Sequence, residues 1–91
     1  MQVAVKGSFY RDWQEIRNRT LSIAIKDKIE QIESASGISN ISHLKKLRKF
    51  VSTYKIEIYS GHKIYWMLCR IYGNRVILVR LKPELYFKKS L

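Results

Sequence analysis

The sequence predicts an α+β domain with the element order β-α-α-β-β-β, an antiparallel sheet covered on one face by a helical hairpin. Three observations predict it. Apolar residues recur at helical spacing in two early stretches, Phe9-Trp13-Ile16 and Leu21-Ile25-Ile29-Ile32. Period-two alternation takes over later, in Tyr54 to Tyr59 and in Arg75 to Lys82. Gly61 and Gly73 punctuate the second half where antiparallel strands must turn.

The elements follow in order. Gln2 to Lys6 alternates weakly and reads as a strand with Val3 and Val5 on one side. Gly7-Ser8 interrupts it, and Ser8 is the expected N-cap of the first helix. Asn18-Arg19-Thr20 is a short link, with Thr20 the expected cap of the second helix and Gly37 its expected stop. Ser34 to Ser42 is small and polar and reads as a loop with room for one turn. His43-Leu44-Lys45-Lys46-Leu47-Arg48-Lys49 is basic, with Leu44 and Leu47 as anchors. In the next strand Tyr54, Ile56 and Ile58 face one way and Lys55, Glu57 and Tyr59 the other. Ser60-Gly61 turns the chain. His62 to Tyr72 is apolar on both faces and suits a central strand, so Trp66 and Cys69 read as core, like Trp13. Gly73-Asn74 is a two-residue hairpin turn. In the last strand Ile77, Val79 and Leu81 alternate against Val76, Leu78, Arg80 and Lys82. Pro83 ends it for want of an N–H, leaving a basic-aromatic tail from Leu85 to Lys89. In this arrangement Lys55, Arg80 and Lys82 lie on the sheet face away from the helices.

Ninety-one residues make one domain, 1–91. The apolar runs are short and broken by Lys or Arg, which excludes a transmembrane helix. The first residues lack the apolar stretch of a signal peptide, and a single cysteine permits no disulfide within the chain. A cytoplasmic location is therefore expected. Cys69, His43 and His62 show no metal-ligand spacing, so neither metal nor cofactor is expected. The net charge of +11 is uneven: residues 1–43 contribute +1 and residues 44–91 contribute +10. So much charge on one half of a small domain repels itself and calls for an anionic partner. Nucleic acid, a ribosome, a membrane surface or an acidic protein segment all qualify on charge alone.

Several motifs narrow the choice. Phe9-Tyr10-Arg11-Asp12-Trp13 opens the first helix, and Lys46-Leu47-Arg48 precedes the second strand. Tyr54-Lys55-Ile56-Glu57-Ile58 is followed by Gly61-His62-Lys63-Ile64-Tyr65-Trp66. Val76-Ile77-Leu78-Val79-Arg80-Leu81 forms the last strand, and Tyr86 lies in the closing segment. In order and spacing this resembles the RelE/ParE superfamily of bacterial type II toxins, over nearly the whole chain. The resemblance implies a RelE-like fold and a metal-independent, ribosome-dependent endoribonuclease that cleaves messenger RNA and inhibits translation. It implies attack of a ribose 2′-hydroxyl on the adjacent phosphate, assisted by cations aimed at the added charge. Carried over by position, Lys55, Lys63, Arg80 and Tyr86 are the catalytic candidates. Lys45, Lys46, Arg48, Lys49, Lys82, Lys88 and Lys89 are the RNA-binding candidates. A cognate antitoxin, messenger RNA and the ribosome are the implied partners, without a membrane or a small-molecule cofactor.

Two positions depart from the family pattern. Glu57 stands where a second basic residue is usual, and Lys82-Pro83 replaces the usual His-Arg step before the closing tyrosine. Two other functions stay open: a ParE-like inhibitor of DNA gyrase, and a family member that binds RNA or ribosomes without cleaving. Plainer roles stay open as well. Lys55 and Lys63 read equally as solvated strand residues, Arg80 as an ion-pair partner of Glu57, Tyr86 and Phe87 as a plug at the sheet edge. His43 and His62 read as surface residues.

Overall fold

The computed structural model describes residues 1–90. Nine elements follow one another: β1 (Gln2–Val5), α1 (Gly7–Gln14), α2 (Arg19–Ser34), a 3-10 turn (Ile38–Asn40), β2 (Leu44–Lys46), β3 (Thr53–Ser60), β4 (Lys63–Tyr72), β5 (Arg75–Pro83) and α3 (Glu84–Ser90). The five strands form one sheet in the order β1-β5-β4-β3-β2. β3, β4 and β5 pair antiparallel, as expected from the two glycine turns, and β2 adds an antiparallel edge to β3. β1 instead runs parallel to β5, so the sheet is mixed rather than antiparallel. A parallel neighbour requires a crossover, and here everything from α1 to β4 supplies it.

α1 packs on β5, and α2 packs across β1 and β3, on one side of the sheet. The core lies between them. Phe9, Leu21, Ile25 and Ile32 come from the helices; Ile56, Met67, Cys69, Val76, Leu78 and Leu81 come from the sheet. The helical spacing of the first set and the alternation of the second produce this contact directly. Burial of these side chains, worth about 1.5–3 kcal/mol for each large one, is what holds the two layers together. Cys69 is fully buried, and desolvation pushes its thiol up to about 12. Among the described residues no helix is long and apolar enough to cross a membrane.

Several local expectations need correction. α1 begins at Gly7 and is capped by no side chain; the Ser8 hydroxyl donates instead to the Val79 carbonyl at 2.6 Å. α2 is capped by Asn18, whose Oδ1 accepts from the Leu21 N–H at 3.0 Å, and not by Thr20. α2 ends at Ser34 with Ala35 extended, so Gly37 does not stop it; Gly37 opens the 3-10 turn. The Met1 amino group meets the carbonyls of Glu33 and Ala35 at 2.9 and 2.8 Å, satisfying the end of α2. The loop of the first hairpin is Gly61-His62, one residue later than expected, with Gly61 at φ 58°. Gly73 takes φ 56° at the first position of the second turn, a conformation that favours glycine.

Two elements were invisible in the sequence. β2 is three residues of the basic segment pinned to the edge of β3, with Lys45 opposite Lys55. α3 is the basic-aromatic tail folded into a helix on the outer face of the sheet, in contact with β4 and β5.

Candidate functional site

The site grows from a shortfall at the sheet edge. β1 pairs only with Arg75 to Leu78, so the second half of β5 has no strand on the edge away from β4. α1 takes its place with side chains. Ser8 donates to Val79 O, and Asp12 Oδ2 accepts the Leu81 N–H at 2.9 Å. A carboxylate in that position is nearly buried and must be neutralised. Arg80 does so with two hydrogen bonds, Nε to Oδ2 at 2.8 Å and Nη2 to Oδ1 at 3.3 Å. Lys82 Nζ adds ion pairs to Asp12 at 3.5 Å and Glu15 at 3.6 Å. Burial alone would raise the Asp12 pKa. The Arg80 and Leu81 hydrogen bonds and the charges of Arg80 and Lys82 outweigh it, and the carboxyl sits below its ordinary value of 3.8.

A bulge sets the direction of those cations. Simple alternation puts Arg80 on the same side as Leu78. The ladder slips where Cys69 pairs with Leu78 and Leu68 with Arg80, leaving Val79 as an extra residue. The slip inverts the alternation. Leu78 and Leu81 both reach the core, and Arg80 and Lys82 stand on the outer face beside Leu68 and Trp66. The expected grouping of Ile77, Val79 and Leu81 on one side is thereby corrected: Leu81 leaves it for the core.

A second group lies two strands away. Glu57 is only 8% exposed at its side chain and is held by Lys55 Nζ at 3.3 Å and Lys45 Nζ at 3.4 Å. The Tyr59 hydroxyl donates to it at 3.4 Å. Burial pushes the Glu57 pKa up, but the two lysines more than offset it and hold the carboxylate ionised below the ordinary 4.5. Glu57 is therefore a poor proton acceptor and a good counter-ion. Arg80 pairs with Asp12 and not with Glu57, which removes the cross-sheet pair considered from sequence. Glu57 opposes Trp66 in the ladder, and Trp66 opposes Lys82, so the middle strand links both groups. Trp66 is buried, but on the outer face rather than in the core. Its ring lies 3.9 Å from Lys55 Nζ and stacks on Phe87 at 5.2 Å with planes 8° apart.

α3 brings Tyr86 to the cations. Its ring centroid is 5.4 Å from Arg80 Cζ and 5.5 Å from Lys82 Nζ, and it meets Phe87 edge-on at 5.3 Å. Beside it opens a groove of about 660 Å³ whose lining includes His62, Lys63, Ile64, Leu85, Tyr86 and Lys89.

The catalytic candidates therefore separate. Arg80, Tyr86 and Lys82 come together, and Lys55 sits nearby on Trp66. Lys63 stands at the far end of β4, five residues beyond Leu68, the partner of Lys55. At about 3.4 Å per residue that is roughly 17 Å from Lys55, while Lys63 shares the lining of the groove with Tyr86. Of the RNA-binding candidates, Lys45 and Lys82 are ion-paired with acids, and Lys88 pairs with Glu84 at 3.0 Å. Lys46, Arg48 and Lys49 are exposed on β2 and the segment after it, and Lys89 lines the groove. Asp12, Glu84 and the outward setting of Trp66 were not foreseen. Asp12 did leave a signal: it falls three residues after Phe9, inside the apolar stripe of α1, where a charge needs a buried partner.

Comparisons of the chain with protein families, with curated proteins and with solved structures find no match.

Proposed function

We propose that this protein is a toxin of the RelE/ParE kind that cleaves messenger RNA on the ribosome without a metal, engaging it through the outer face of the sheet. One observation carries the reading: Arg80 and Lys82 converge on the Tyr86 ring while Asp12 fixes them from behind. Two fixed cations beside a phenol suit a reaction that adds negative charge to a phosphate. Attack of a 2′-hydroxyl gives a phosphorane-like transition state. Preset cations stabilise it more than the ground state because they need not reorganise. Arg80 is assigned to the non-bridging oxygens, and Tyr86 to the leaving 5′-oxygen as proton donor. The O2′–P bond forms as P–O5′ breaks, the 2′-hydroxyl proton passes to solvent, and a cyclic phosphate and a 5′-hydroxyl result. Lys55 and Lys63 hold flanking phosphates, with Lys45, Lys46, Arg48 and Lys49 extending the track. A cognate antitoxin with an acidic segment covers this face when the toxin is silent.

The decisive experiment is primer extension on a reporter messenger RNA after induction, repeated with purified ribosomes. New 5′ ends on wild-type induction are expected. Arg80→Ala or Tyr86→Ala is expected to slow their appearance about 100-fold or more. Intact messenger RNA together with DNA-damage signalling would replace this reading by gyrase inhibition. A second reading is favoured by the acids: Asp12 and Glu15 cancel the charge of Arg80 and Lys82. On that reading the face binds RNA without cutting it, and the same assay shows ribosome association with no new ends.

A further inference from the structure

α3 lays two groups on the outer face. Phe87, buried at 4%, stacks in parallel on Trp66. Glu84 accepts the Trp66 Nε1–H at 3.1 Å. Lys55 reaches the same Trp ring at 3.9 Å. A cation-flanked tryptophan is thus occupied by an aromatic ring and a carboxylate from one short helix. A ring and an anion are also what a nucleotide presents. Parallel stacking on Trp is the way an unpaired base binds regardless of its identity.

The occupant is a short element held by few side chains. α3 has seven residues, fewer than an isolated helix needs to persist in water. It follows Pro83, Leu85 faces solvent at 68% exposed, and Phe87 and Glu84 supply its hold on Trp66. The groove beside it reaches Ile64, on the same side of β4 as Trp66 and two residues away, so the platform has an open approach.

We propose that Trp66 is a stacking platform for an unpaired base of single-stranded RNA, and that Phe87 and Glu84 occupy it until RNA displaces them. The exchange also draws Tyr86 off Arg80 and Lys82, and so belongs to a binding step distinct from the cleaving arrangement. This rests on the RNA reading above and adds a binding position to it. The closed state competes with RNA, so removing the competitor raises apparent affinity by the factor that the closed state imposes.

The test uses full-length protein with Trp13→Phe, which leaves Trp66 as the single indole. The probes are a fluorescein-labelled 2′-O-methyl decanucleotide of mixed sequence, which resists cleavage, and an abasic strand of equal length. Phe87→Ala is expected to bind the base-bearing strand about tenfold more tightly, with quenching of Trp66 emission and no gain for the abasic strand. Glu84→Gln, which leaves the apolar contact intact, is expected to give a smaller gain in the same direction. Trp66→Ala is expected to lose roughly five- to 100-fold on the base-bearing strand. Circular dichroism of each variant confirms that it folds. If wild type binds RNA but neither Phe87→Ala nor Glu84→Gln binds it more tightly, and Trp66 emission is unchanged, the platform is wrong and the RNA reading stands. If no variant binds either strand, the RNA reading itself fails. A gain confined to an acidic aromatic peptide would assign Trp66 to a protein segment and overturn the proposal.

Discussion

Asp12 lies on the inner side of α1 between Phe9 and Trp13, where an apolar residue would continue the helical stripe. Its carboxylate completes the edge of β5 through the Leu81 N–H and holds Arg80 through two bonds. Replacing it with Ala leaves the amide unpaired and a cation without its counter-ion. Asp12→Ala is expected to cost about 2–3 kcal/mol in urea denaturation and to disorder Arg80. The pH dependence has a definite sign. The folded pKa lies below the ordinary 3.8, so the contribution is present above that value and is lost as pH falls through the depressed one. Asp12→Asn is therefore expected to show a shallower loss of stability below pH 3.8 than the wild type. The sequence held part of this information. A charge inside an apolar stripe marks a buried pair, but the partner is 68 residues away and no local pattern names it.

Among the elements, the strands with clear alternation and the two long apolar stripes were legible, because each has a buried side and an exposed side. β2 and α3 were not. Three residues show no period, and a seven-residue basic-aromatic tail has too few turns to show a stripe. The β5 bulge escaped for another reason: the slip is a property of the pair β4–β5, and β5 alone reads as regular. That slip is testable. Deleting Val79 removes the extra residue and leaves Leu78 inward, Arg80 outward and Leu81 inward by simple alternation. The deletion is expected to keep both placements and to cost about 1 kcal/mol in urea denaturation, for the disturbed Ser8 hydrogen bond. A loss as large as that of a buried leucine, about 2–4 kcal/mol, would show that Leu81 has left the core and that the bulge does not set the face.

At the scale of the molecule, the uneven charge seen in the sequence becomes an uneven surface. Lys45, Lys55, Arg80 and Lys82 share the outer face, and their acids Glu57 and Asp12 are largely buried beneath them. Binding to a single strand through about four phosphates is expected to weaken roughly 50-fold when salt rises fourfold, because each contact releases counter-ion. Titration of the 2′-O-methyl strand at several salt concentrations measures the slope, and a flat response would exclude a backbone-directed mode. The parallel pairing of β1 with β5 has a further effect, on timing. Asp12 and Leu81 are separated by 69 residues, so neither the edge nor the Arg80 anchor can form until the last strand has been made. At about 5–20 residues per second, that is a delay of roughly 3–14 s after Asp12 leaves the peptidyl-transferase centre. The chain thus stays incomplete, and without its Arg80 anchor, while the ribosome is still building it.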